Sequence, residues 1–170
     1  ILYSINFIDS TSKQLSKIGG GVAINLSKLR ARGEAIKGIK GVAKGVLPVA
    51  KALEGGFSYA DQLGQRPGAG AVYLNIFHYD VEVFLDTKKV IADEDLRLTT
   101  ISTGLKVPSK FFDLAKEGKD FYMFAPHTVK QEYGVTLDDI DIEKYYDELV
   151  ANPNVLKKKK EAREMLKKNA

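Results

Sequence analysis

Short apolar runs alternate with helix-forming segments along most of this chain, and that alternation limits the folds it can adopt. Val22 to Leu26, Val72 to Phe77 and Phe121 to Phe124 have the length and composition of buried strands. The segments between them carry apolar residues at steps of three and four, as one face of a helix does. Because strands that alternate with helices form a mostly parallel sheet, the sequence predicts an α/β fold.

Two helices are predicted in the first third of the chain. The first covers residues 2–17 and is ended by the glycines at 19–21, which accept the left-handed backbone of a helix stop. The second covers 42–60, with Pro48 near its first turn, where a missing N–H does no harm. Its stripe is the clearest in the sequence and comprises Val42, Val46, Val49, Leu53, Phe57 and Ala60.

The rest of the chain predicts further alternation. In order, we expect a helix over 81–88, a strand over 96–107, a helix over 108–117, a strand over 121–124, a helix from Pro126, and helices over 139–150 and 153–168. The lysine-rich tail is expected to be a solvated helix face rather than a nucleic-acid interface, because no aromatic residues are interleaved with the lysines.

Composition excludes several kinds of chemistry. The 170 residues include no cysteine, which rules out disulfides, iron–sulfur clusters and thiol nucleophiles on this chain. No apolar run approaches the roughly 18 residues that a membrane helix needs. His78 and His127 are far apart and lack ligand-like neighbours, so each is expected to be a structural or surface histidine.

The loop over 28–41 is one of two candidate binding segments. Five cations fall within it: Lys28, Arg30, Arg32, Lys37 and Lys40. Several cations together suit a triphosphate, and arginine offers a planar fork to its oxygens. A solvated charged loop remains the better reading from these residues alone. The glycines at 19–21 are likewise best read as a helix stop, since no Gly-Lys-Ser/Thr ending follows them.

The second candidate is the glycine- and proline-containing loop over 62–70. Gln62 can donate and accept hydrogen bonds, so it can read the edge of a base. Arg66 can stack on a base or hold a phosphate. An ordinary surface connection explains the same residues equally well.

Three long blocks carry a resemblance to a known family: GGGVAINLSKLRARGEAIKGI, then KGVLPVAKALEGGFSYADQLGQRPGAGAVYLNIFHYDVEVFLDTKK, then ADEDLRLTTISTGLKVPSKFFDLAKEGKDFYMFAPHTV. The chain resembles an internal piece of the class Ib ribonucleotide reductase large (α) subunit. The resemblance implies that residues 1–170 form part of a ten-stranded α/β barrel, about one half-barrel with flanking helices. It also implies reduction of ribonucleoside diphosphates to deoxyribonucleotides, by cysteines expected before residue 1 and after residue 170. The chain alone is therefore expected to be inactive, with no catalytic residue and no metal ligand of its own.

The resemblance further implies a regulatory site. The helices over 2–17 and 42–60 would pack against their copies in an α-subunit homodimer, and a dNTP effector would bind at the end of that bundle. Arg30 would contact its phosphates, with Lys37 and the backbone near Ile36 also in the pocket. The family's acidic ribose-binding residue is expected before Ile1.

Loop 62–70 resembles the family's specificity loop, which connects effector and substrate. Gln62 and Arg66 match the pair that contacts the substrate base, and Gly21 matches a glycine that lines the substrate site. The implied partners are a β subunit with a dinuclear metal and tyrosyl radical, and a thioredoxin- or glutaredoxin-like reductant. A cytoplasmic location is implied, with no membrane or direct nucleic-acid contact. The alternative is a non-catalytic, basic α/β module that binds nucleotides or nucleic acid.

Overall fold

Three parallel strands form the main sheet. In the computed structural model of the protein, residues 2–60, 68–89 and 93–168 are described. Strands β1 (Val22–Asn25), β2 (Gly70–Asn75) and β3 (Ser102–Lys106) lie side by side in the order β1–β2–β3. Val22 pairs with Gly70, and Tyr73 pairs with Gly104. The predicted α/β fold with a parallel sheet is confirmed.

Two helices, α1 (Leu2–Lys17) and α2 (Leu47–Tyr59), precede β1 and β2 and pack on each other. They approach closely at Gly56, where a Cβ atom would overlap the side chain of Lys13. On its other side α2 contacts the sheet, because a Cβ atom on Gly70 would overlap the ring of Phe57. The β1–α2–β2 segment is thus a crossover unit of the kind that joins parallel strands.

The second half of the described chain surrounds an antiparallel pair. Strand β4 (Asp120–Phe124) pairs with β5 (Lys157–Glu161). The helices of this half are α3 (Val81–Asp86), α4 (Ser109–Glu117), α5 (Pro126–Tyr133), α6 (Ile142–Ala151) and α7 (Ala162–Lys168).

An aromatic cluster joins the two halves. The ring of Phe121 lies 5.0 Å from that of Phe111 and 6.2 Å from that of Phe77, both in edge-to-face geometry. The backbone N–H of Phe124 donates to the Phe77 carbonyl at 2.7 Å. Because these phenylalanines are fully buried, the segment after β2 is fixed against β4.

The helix predicted over 42–60 begins later than its apolar stripe. It starts at Leu47, Gly45 has a φ of 83°, and Val42 stays 39% exposed outside the helix. Val46, Leu53 and Phe57 are buried in this chain's own core. These three residues of the stripe therefore stabilise the chain itself, and the expected packing of this helix against a second subunit stays a prediction.

The apolar stripe of α1 is exposed instead. The helix has the predicted bounds, but it buries Ser12 and Ser16. Leu2, Ile8 and Leu15 are exposed, and Ile5 is half-buried. A helix that buries small polar residues and exposes apolar ones has an apolar face that the described residues do not cover.

The strand predicted over 96–107 is wrong in its first half, since only Ser102–Lys106 is extended. The carboxylate of Glu54, on α2, accepts hydrogen bonds from the backbone N–H groups of Thr99 and Thr100 at 2.6 and 2.7 Å. These bonds occupy backbone groups that a strand would use, and they hold 99–101 as a bend. Burial raises the pKa of Glu54, but these N–H bonds outweigh it and lower that pKa overall.

The helix predicted over 153–168 is wrong in its first part. Lys157 to Glu161 form β5, and only Ala162–Lys168 is helical. Strand β4 offers unpaired backbone groups, and Glu82 takes ion pairs from Lys158, at 3.5 Å, and from Lys160. Pairing and charge compensation together override the helical tendency of the lysine run. These lysines are partnered, so the tail gives no support to a nucleic-acid interface.

Candidate functional site

The cationic loop after β1 is a folded hairpin. Ile36 and Ile39 exchange backbone hydrogen bonds of 3.0 Å, and Lys37 and Gly38 between them have φ angles of 50° and 81°. Two successive positive φ angles define a type I′ turn, which glycine favours and lysine tolerates poorly. Lys37 therefore lies at the exposed tip of the hairpin.

Arg30 lies at the base of that hairpin. Its Nη1 donates to the carbonyl of Ala35, the residue before Ile36. Its Nε is buried and has no hydrogen-bond partner among the described residues. The structure thus brings Arg30 close to the backbone next to Ile36, while Lys37 occupies the tip. The guanidinium keeps donors that an anion could use.

A cleft of about 730 Å³ opens beside Arg30. One wall is apolar and is built by α1, α2 and β1, with Ile5, Ile8, Ile24, Val49 and Leu53. The rim is cationic or basic and consists of Lys28, Arg30, His127 and Lys130. Burial, then Arg30 and Lys130, lower the pKa of His127 below its ordinary value. An apolar wall opposite a cationic rim suits a ligand that has a flat ring system and an anionic group.

A buried carboxylate connects the hairpin to α5. Glu34 is 2% exposed, and its Oε2 accepts the N–H of Ala31 at 2.6 Å. Its Oε1 accepts the N–H groups of His127 and Thr128 at 2.9 and 3.1 Å, at the first turn of α5. Burial raises the pKa of Glu34, while these N–H groups and Arg30 oppose the rise. Sequence reasoning missed this residue, because a glutamate inside a basic loop is expected to be a surface charge.

A second buried pair holds the loop from the sheet side. His78 is fully buried, with Nε2 3.0 Å from the Leu29 carbonyl and Nδ1 accepting the N–H of Asp80 at 3.0 Å. The Asp80 carboxylate accepts the N–H groups of Arg32 at 3.1 Å and Val46 at 3.2 Å. His78 is therefore a structural histidine, as expected, whereas His127 lies on the rim of the cleft.

Gly21 lies at the amino-terminal end of the parallel strands, opposite the end that carries Arg30. It is exposed, and the space around a Cβ atom at this position is open within 4 Å. Because Val22 pairs with Gly70, the described end of loop 62–70 lies at the same end of the sheet as Gly21. Gln62 and Arg66 lie outside the described residues. Arg30, by contrast, follows the carboxyl end of β1.

Within the described ranges no group of three or more histidine, aspartate or glutamate side chains is placed to hold a metal ion. In the same ranges no helix combines the length and apolar character needed to cross a bilayer.

Comparison with known proteins gives a consistent result. Residues 2–170 match the sequence model of the family described as ribonucleotide reductase, barrel domain. The chain is 59% identical over 159 residues to the ribonucleoside-diphosphate reductase NrdEB subunit alpha of Bacillus subtilis, covering 94% of this chain and 15% of that protein. It is 55% identical over 159 residues to the ribonucleoside-diphosphate reductase subunit alpha of the same organism, covering 23% of it. It is 47% identical over 154 residues to that of Mycoplasma pneumoniae, covering 21% of it. The chain therefore spans less than a quarter of the length of these relatives.

Proposed function

The chain belongs to the ribonucleotide reductase barrel-domain family, and on that premise we propose that it is the effector-binding segment of a ribonucleoside-diphosphate reductase α subunit. The whole subunit would reduce ribonucleoside diphosphates to deoxyribonucleotides. Since this chain has no cysteine, the thiol and radical chemistry belongs to other segments and to a β subunit with a dinuclear metal and tyrosyl radical. A thioredoxin- or glutaredoxin-like protein would supply electrons.

The cleft beside Arg30 is the observation that carries this proposal. A deoxynucleoside triphosphate has a flat base and several negative charges, which match the apolar wall and the cationic rim. Arg30 would bind phosphate through the donors that Ala35 does not use. Lys37, at the exposed hairpin tip, and the backbone at Ile36 would close over the ligand from one side.

The amino-terminal end of the sheet is proposed to face the substrate. Gly21 and the end of loop 62–70 both lie at that end, and open space at Gly21 permits close approach of a ligand. Gln62 and Arg66 would contact the substrate base and report which effector is bound. Effector and substrate would then be coupled through one loop, and the coupling must be reciprocal.

Assembly and location form the remainder of the proposal. The exposed apolar residues of α1, among them Leu2 and Phe7, would pack against a second α subunit. The enzyme would work in the cytoplasm without direct contact to membrane or nucleic acid.

Substitution of Arg30 tests the effector site. In the intact α subunit, Arg30→Ala is expected to raise the dissociation constant of dTTP by about 10- to 100-fold, since hydrogen bonds to charged groups contribute about 1.5–3 kcal/mol. Equilibrium dialysis with labelled dTTP measures the effect. Arg32→Ala is the matched control, because it removes the same charge from an exposed side chain of the same loop. Equal affinity of wild type and Arg30→Ala would remove Arg30 from the site.

A further inference from the structure

We propose that His78 and Asp80 are positioning residues that hold Arg30 in place for the effector. The inference rests on the proposed function, since it assigns these residues a role at that site. The pair lies in the turn after β2, and it binds the backbone on both sides of Arg30. Neither residue lines the cleft beside Arg30.

The hydrogen bonds place Arg30 between two anchors. On one side, His78 Nε2 lies 3.0 Å from the carbonyl of Leu29. On the other side, both carboxylate oxygens of Asp80 lie 3.1 Å from the N–H of Arg32. The anchored backbone atoms belong to Leu29 and Arg32, so only Arg30 and Ala31 lie between them. Ala31 is itself held by Glu34 at 2.6 Å.

The histidine can serve in only one form. Its Nδ1 accepts the N–H of Asp80, so the ring hydrogen must be on Nε2, which then donates to the Leu29 carbonyl. A single neutral tautomer therefore satisfies both partners. The imidazole thereby makes one rigid connection from the Asp80 backbone to Leu29.

The anchors belong to a part of the molecule that cannot shift easily. His78 follows Phe77, which is fully buried in the aromatic cluster, and its neighbour Tyr79 donates its N–H to the Phe124 carbonyl at 3.0 Å. Arginine binds phosphate through a planar fork, whose two bonds are lost if the side chain is displaced. The tight core around β2 and β4 would thus set the position of a guanidinium on a surface loop.

Two substitutions of His78 separate its two hydrogen bonds. Asparagine puts an acceptor where Nδ1 was but cannot reach Leu29, whereas glutamine puts a donor where Nε2 was. In the intact α subunit, His78→Asn is expected to raise the dissociation constant of dTTP at least five-fold. His78→Gln is expected to stay within about two-fold of wild type. Asp80→Asn, which replaces one acceptor oxygen by a donor, tests the other anchor and is expected to weaken dTTP binding at least three-fold.

A positioning role predicts that KM and kcat stay unchanged, whereas general damage to the fold would alter them. At saturating dTTP, the KM for a ribonucleoside diphosphate and the kcat of His78→Asn are both expected to match wild type, because only the effector site is displaced. If the KM and kcat change along with dTTP affinity, or if His78→Gln is as impaired as His78→Asn, the role is structural and the inference fails. If His78→Asn does not fold, Asp80→Asn decides, and wild-type affinity for dTTP in that variant overturns the inference.

The same assay keeps this inference apart from the function it rests on. Loss of dTTP affinity in Arg30→Ala, with wild-type affinity in His78→Asn and Asp80→Asn, would reject the positioning role and keep the effector site. Wild-type affinity in Arg30→Ala would reject the effector site itself.

Discussion

Burial controls the charge state of His78 in the folded protein. Burial lowers its pKa from the ordinary value of 6.5, the Leu29 carbonyl and Asp80 oppose that shift, and Lys158 adds to it. The folded protein therefore takes up this proton at a lower pH than the unfolded chain does. Above pH 6.5 His78 is neutral in both the folded and the unfolded protein, and its contribution to stability is fully present. As the pH falls below that value, the unfolded chain binds the proton more readily and the folded protein loses stability.

We therefore expect acid to destabilise the wild type more than His78→Gln, which has no titratable group at this position. Between pH 7.5 and 5.5 the difference in unfolding free energy between the two proteins should move in favour of the variant, by at most about 1.4 kcal/mol per pH unit for one proton. Urea unfolding at a series of pH values measures it. Parallel pH profiles for the two proteins would contradict the buried neutral histidine.

At the same scale, the sequence predicts Arg30 as a candidate site residue, but it does not predict the hydrogen bonds that His78 and Glu34 make to the backbone. The cluster of cations in one loop can be recognised from the sequence, and the family resemblance selects two of them, Arg30 and Lys37. His78 and Glu34 act on backbone groups 49 and 93 residues away along the chain. No local pattern encodes such a bond, because any buried polar side chain is placed by the tertiary fold.

The pairing of β4 with β5 is the least expected feature among the elements. The backbone N–H of Tyr122 donates to the Tyr146 hydroxyl at 3.0 Å, and that of Phe124 donates to the Phe77 carbonyl. These two N–H groups therefore point away from β5. In an antiparallel pair these orientations alternate along the strand. Met123 therefore makes the ladder bonds, and the register places it opposite Lys158.

Proline scanning of β5 tests this register. Lys158→Pro removes an N–H that the ladder uses, and we expect it to lower the unfolding free energy by about 1–3 kcal/mol. Lys159, opposite Tyr122, lies at a position that does not use its N–H, so Lys159→Pro should cost clearly less. Chemical denaturation of both variants gives the comparison.

Lys158→Ala serves as the control for the lost side chain, since Lys158 also contacts Glu82 and the Tyr79 ring. A cost for Lys158→Pro no larger than that of Lys158→Ala would show that the ladder is not as described.

Helix α4 was predicted to within one residue at both ends, and the start of α5 was predicted at Pro126, because local residues mark these positions. Helices α4 and α5 begin at or just after a proline and end at Gly118 and Gly134, which have φ angles of 68° and 74°. Strand β5 and the bend before β3 were mispredicted because their state depends on distant partners, the β4 backbone and the Glu54 carboxylate. Local propensity is decisive only where no such partner intervenes.

At the scale of the whole molecule, two features of the described chain are incomplete. Strands β1 and β3 each have one neighbour in the three-stranded sheet, so each leaves an edge that another strand could pair with. Helix α1 exposes Leu2, Tyr3 and Phe7, which together exceed the scattered apolar residues of an ordinary surface. Both features fit a segment built into a larger barrel and a larger assembly.

The exposed face of α1 gives a test of that assembly. Phe7 is 61% exposed on α1, and a charged side chain there would have to be buried in a dimer interface without a partner. In the intact α subunit we expect Phe7→Lys to raise the dimer dissociation constant at least ten-fold, measured by sedimentation velocity over a range of concentrations. Phe112→Lys on α4, where the ring is 46% exposed, is the matched control and should leave the dimer intact. If Phe7→Lys dimerises as tightly as the control, another segment of the same subunit covers α1, and the proposed dimer contact is refuted.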